Sequence, residues 1–209
     1  MGNGRAASDA LVAFWRRLFS GPLPDAVFAM FLAVGVPDPP ADPTPAQVLA
    51  FAELAGLVAD RSLTRRLRAR AGRAAVVDEG ALLAGVGEAF AMARPALLAG
   101  ERPGPGPALD RFVEAHASVR ASRDTAAFRR ALSARSGREP LTHVAVDHDP
   151  RIRRYWELVG AVTGDPATLG ALHDWLLEAL DRSVGGGLGR PAGPGPEVPV
   201  AVRPQHQDR

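Results

Sequence analysis

At three places in this chain a proline follows a capping residue and leads into apolar residues at helical spacing: Thr44-Pro45, Asp149-Pro150 and Asp165-Pro166. Proline has no N–H to donate and holds φ near about −65°, so it suits the first position of a helix and breaks a sheet ladder. A Ser, Thr or Asp ahead of it accepts one of the orphan N–H groups of the first turn. The repeated signal commits long parts of the chain to helices and leaves little room for strands.

The apolar pattern agrees. From Ser8, Leu11, Phe14, Trp15 and Leu18 recur at i, i+3, i+4 and i+7, which marks one helical face after a disordered lead over 1–7. Residues 26–36, AVFAMFLAVGV, read as a core helix: the segment is shorter than the ~20 residues a bilayer needs, and Asp25 precedes it directly. Thr44 with Gln47 forms a capping box for a helix expected to bury Val48, Phe51, Ala55 and Val58. A basic helix follows, then a long apolar helix over 78–99 that Pro95 is expected to kink or end. Beyond the break at 100–107, Leu109, Phe112, Val113 and His116 share a stripe, and Asp124 is expected to cap a shorter helix. Asp149 and Asp165 are expected to cap the last two helices. The first carries Ile152, Tyr155, Trp156, Val159 and Val162 on one face; the second carries Leu169, Leu172, Leu176 and Leu180, with Trp175 beside them.

These readings give an all-α multi-helix bundle of roughly eight helices over 8–183. Residues 142–146, THVAV, are the one stretch with a strand-like alternation. Residues 184–209 are dominated by Gly and Pro and bury too little apolar surface to offset the entropy of ordering, so a disordered tail is expected.

Function is narrowed mainly by exclusion. The chain has no cysteine, which removes disulfides, thiolate nucleophiles and Cys-ligated metals. It carries no P-loop, H-E-x-x-H or G-x-S-x-G, and nothing pairs a nucleophile or acid with a base, so a non-enzymatic protein without cofactor is expected. His143, Asp147, His148 and Asp149 offer nitrogen and oxygen donors within seven residues, but a solvated loop is the favoured reading. His116 and His173 read first as packing residues. The arginine run from Arg61 to Arg73 raises DNA binding, since FAELAGLVADRSLTRRLRARAG imitates a helix-turn-helix. The buried position after the Gly56 turn falls on Ser62 rather than Leu63, so a solvated basic face is favoured over direct DNA contact. The remaining candidates are the aromatics on the apolar faces. Core packing alone would explain them, but facing helices can also open a pocket lined by rings with a few polar groups. On that reading Trp15, Tyr155, Trp156 and Trp175 supply stacking surfaces and His173 a polar contact.

Several segments go further than periodicity. FWRRLFSG, DPTPAQVLAFAELAGLV, ALDRFVEAHA, DPRIRRYWELVGAVTG and HDWLLEAL resemble the helical, effector-sensing C-terminal half of MerR-type transcriptional regulators, over roughly residues 8–182. In that family an N-terminal winged helix-turn-helix binds DNA and the C-terminal portion wraps a ligand among its helices. The resemblance implies a cytoplasmic sensor domain without the DNA-binding half. Such a domain would bind a small apolar molecule without catalysis, away from membranes, as a homodimer or in association with a full-length regulator. A protein-interaction module that modulates such a regulator is the other reading.

Overall fold

The computed structural model describes residues 2–19, 23–71, 78–136 and 149–185. Among them are nine helices and no strand: α1 (Gly2–Leu18), α2 (Asp25–Gly35), α3 (Pro45–Ala59), α4 (Arg61–Ala71), α5 (Glu79–Leu98), α6 (Pro107–Ser118), α7 (Ala126–Ser136), α8 (Pro150–Thr163) and α9 (Leu169–Gly185). The all-α expectation is borne out. The tail beyond Gly185, the THVAV stretch, and His143, Asp147, His148 and Arg73 lie outside the described residues.

Local chemistry sets the helix ends. Thr44 Oγ1 accepts from the Gln47 N–H while the Gln47 side chain accepts from the Thr44 N–H, completing the capping box. Asp149 caps α8 by accepting from the Arg151 N–H at 3.0 Å, and Gly164, at φ +74°, ends that helix in the left-handed conformation that glycine adopts without cost.

Pro95 sits in the last turn of α5 and forfeits only the bond to the Ala91 carbonyl, and the helix closes three residues later at Leu98. Three expectations are corrected. α1 begins at Gly2, so residues 2–7 extend the helix instead of forming a disordered lead. At α7 and α9 the capping oxygen belongs to a threonine. Thr125 accepts from the Phe128 N–H at 3.0 Å and Thr168 from the Ala171 N–H at 3.3 Å, while Asp124 binds Arg129 and Asp165 folds its own turn through the Ala167 N–H. Val48 is 51% exposed, and the buried line of α3 runs through Phe51, Leu54 and Val58 instead.

The apolar faces meet in two nuclei. The first gathers α1, α3, α4 and α8 around Trp15, Leu54, Leu63, Leu67 and Tyr155, with Phe31 of α2 at its edge. The second gathers α5, α6, α7 and α9 around Leu82, Phe112, Leu132 and Leu176. Leu169, at the start of α9, packs against both. Polar clamps tie the elements further: Arg154 grips Glu53 with two bonds of 2.7 and 2.8 Å between α8 and α3, and Arg94 of α5 reaches Asp165 and the Ala167 carbonyl ahead of α9. α5 is long and apolar enough to cross a membrane by length and composition, and a third of its most apolar stretch is buried.

Candidate functional site

The seam between the nuclei opens into a cleft where α8 passes α9. Its volume is about 590 Å³, within the roughly 300–1,000 Å³ typical of small-molecule sites. Trp156 forms one wall and His173 another; Gly160, Ala161 and Ala171 leave the space between them. Arg153 and Asp174 stand at its rim, 3.6 Å apart, one from each helix.

Gly170 explains how α9 comes so close to Trp156. A Cβ at that position would fall 2.3 Å from Trp156 Cδ1 and Cγ and 2.6 Å from its Cβ, so only a bare backbone fits against the indole. The ring is thus sandwiched between the first turn of α9 and Trp15, whose ring centroid lies 5.6 Å away. Trp156 is 4% exposed, and its Nε1–H is buried with no hydrogen-bond partner among the described residues. An indole N–H normally finds an acceptor when buried, so this donor is costly where it stands.

Of the five residues singled out from the sequence, two line this cleft: Trp156 and His173. Trp15 and Tyr155 are fully buried behind it, in the first nucleus. The Trp15 Nε1–H donates to the Tyr155 hydroxyl at 2.7 Å, and that hydroxyl donates to the Gly35 carbonyl at the end of α2. Burial pushes the phenol well above its ordinary pKa, so it stays a neutral donor. Trp175 points to the other side of α9, half-buried, and donates from Nε1 to the Glu101 carbonyl at 3.3 Å. Sequence reasoning missed the small residues that hollow the cleft and the Arg153–Asp174 pair. The sequence does carry a signal for them, since Gly160, Ala161, Gly164, Gly170 and Ala171 cluster around the α8–α9 turn.

The basic helix α4 presents a different surface. Leu63 and Leu67 are fully buried, and Arg61, Arg65 and Arg68 are exposed, with no partner among the described residues. Arg66 instead binds the Asp149 cap at 3.1 Å. Next to it, hydrogen bonds from Ser62 and the charge of Arg151 bring Asp60 down to about 2. These pairs fix the α3–α4 junction to the start of α8. Among the described residues no group of three or more His, Asp or Glu is placed to hold a metal ion.

The fold and cleft together define an all-helical protein with a small-molecule-sized opening between two apolar nuclei. Comparison with protein-family models, with curated proteins and with solved structures gives no match to this chain.

Proposed function

We propose that this protein is a non-catalytic effector-binding domain of the MerR regulator type, which takes a small, largely apolar molecule into the α8–α9 cleft. The observation that carries the reading is the combination at Trp156: an indole face bordering a cleft of about 590 Å³ and a buried N–H without an acceptor among the described residues. Apolar lining supplies affinity through area removed from water, and the ring supplies a stacking surface. A pocket of this kind needs no acid, base or nucleophile.

Fluorescence tests it directly, because Trp156 reports on its own surroundings. Titration of the full chain with an uncharged apolar dye such as Nile red, and with a panel of neutral aromatic compounds, is expected to give a saturable change for at least one member. Ala161→Phe, which fills the cleft from an exposed lining position, is expected to weaken that response at least about tenfold, equivalent to ~1.4 kcal/mol. If Ala161→Phe and the unaltered chain respond alike, the cleft is not where the compounds bind.

A further inference from the structure

α4 carries charge that the described residues around it do not answer. Arg61, Arg65 and Arg68 recur at i, i+4 and i+7, so they form one row, about 10 Å long at ~1.5 Å per residue and spread over roughly 60° of the helix circumference. All three are exposed, and none has a partner among the described residues. The two carboxylates that stand close to α4 are committed elsewhere: Asp149 caps α8 and holds Arg66 at 3.1 Å, and Asp60 binds Ser62 and Arg151. From Arg61 to position 77 the sequence has no Asp or Glu. Like charges three and four residues apart disfavour a helix, so the row works against the element that bears it.

The opposite face of α4 fixes the row in place. Leu63 and Leu67 are fully buried in the first nucleus, where α4 packs against α1 and α3, and the Arg66–Asp149 pair ties it to the start of α8. The outer face also lacks what other kinds of partner require. Among the described residues, none of the exposed large apolar side chains lies on α4. A helix that lies on a membrane inserts such side chains, and a protein interface is centred on apolar or aromatic anchors. A row of guanidinium groups on a convex surface matches regularly spaced phosphates instead, since arginine bonds a phosphate through two N–H groups at once.

We propose that the outer face of α4, through Arg61, Arg65 and Arg68, docks on the phosphate backbone of double-stranded DNA without reading its sequence. A helix-turn-helix reads bases by means of a turn of about three or four residues that sets its second helix into the major groove. Here Asp60 alone separates α3 from α4, so the row lies along the backbone rather than entering the groove. Each guanidinium that neutralises a phosphate releases condensed counterions, and this release drives the association. The surface uses no residue of the Trp156 cleft and is independent of what that cleft binds.

Fluorescence anisotropy of a fluorescein-labelled DNA duplex of about 20 base pairs and arbitrary sequence, titrated with the full chain, tests the surface. Saturable binding in the range of about 1–100 μM is expected at 25 mM NaCl, and three phosphate contacts predict a log–log salt slope near −2.7, or roughly 40-fold weaker binding at 100 mM. Replacing Arg61, Arg65 and Arg68 together by Gln is expected to abolish binding. A control with Gln at Arg17, Arg102 and Arg123, which are exposed on other elements, removes the same charge and is expected to keep most of it. Arg65→Gln alone is expected to make the slope shallower by about 0.9, which keeps the proposal testable should the triple variant not fold. No saturable binding at 25 mM NaCl, equal loss in the two triple variants, an unchanged slope in Arg65→Gln, or displacement of the duplex more readily by polyglutamate than by unlabelled DNA would overturn it.

Discussion

Taking one oxygen from Tyr155 would strand two polar groups at once. Its hydroxyl accepts from the Trp15 indole at 2.7 Å and passes its own hydrogen to the Gly35 carbonyl, so α1, α2 and α8 are joined through a single atom. The site is closed to water, with Tyr155 and Trp15 both fully buried. Tyr155→Phe preserves the ring, which stacks on Phe14 at 6.0 Å, and removes only the shared oxygen. Each buried group left unsatisfied costs about 1–3 kcal/mol, so the substitution is expected to lower unfolding free energy by roughly 2–4 kcal/mol. Urea unfolding followed by tryptophan fluorescence measures this, and a loss below about 1 kcal/mol would show that the oxygen does not join the three helices. The same residue marks a boundary of what sequence can tell. Periodicity placed Tyr155 on the buried face of its helix, but an apolar stripe does not say whether a phenol faces a ligand or another side chain 140 positions away.

Element contacts here are set by single side chains at the points of closest approach. The first turn of α9 lies so close to Trp156 that the Cβ, Cγ and Cδ1 atoms of the indole fill the space a side chain at position 170 would need. The root of the ring cannot swing aside without moving α8. Gly170→Ala is therefore expected to destabilise the fold by about 3 kcal/mol, at the upper end for overpacking, despite alanine's better helix propensity. A midpoint shift in urea at unchanged slope, together with an altered near-ultraviolet circular dichroism spectrum from Trp156, is the measurement. A variant as stable as the original would place α9 farther from α8. Helix faces were legible where the stripes were long: Leu11, Phe14, Trp15 and Leu18 of α1, and Ile152, Tyr155, Trp156, Val159 and Val162 of α8, are all buried as their spacing predicts. Caps were less legible, because Asp124-Thr125 and the Asp165–Thr168 turn each offer two residue types that serve equally well and only geometry selects the threonine. Val48 misled for a related reason. It lies in the first turn of α3, where the apolar residues exceed what one face can bury. The cleft was half-legible, since its rings stood out in the sequence while its emptiness comes from glycine and alanine, which leave no periodic signal.

At the scale of the molecule the chain builds two nuclei out of sequence order: α8 returns to the one begun by α1, and α9 returns to the one begun by α5. No stripe encodes which other stripe it will meet, so this interleaving was hidden in the sequence. It has a consequence for stability against acid. His116 is fully enclosed in the second nucleus, and its pKa is held well below the ordinary 6.5, first by burial and then by Arg120, His173 and Arg135. A group whose folded pKa is depressed binds its proton more readily in the unfolded chain. Its contribution is therefore complete above the unfolded value and is lost as pH falls toward the folded one. As pH falls below about 6.5, stability is expected to fall with it, by no more than ~1.4 kcal/mol per pH unit, the limit for one proton. His116→Leu removes the titrating ring and is expected to flatten that part of the profile, whatever it does to stability at pH 8. Urea midpoints of both proteins taken at half-unit steps from pH 8 to 5 separate the two curves. Parallel profiles would mean that the acid response arises outside the second nucleus and that His116 is protonated as easily in the folded chain as in the unfolded one.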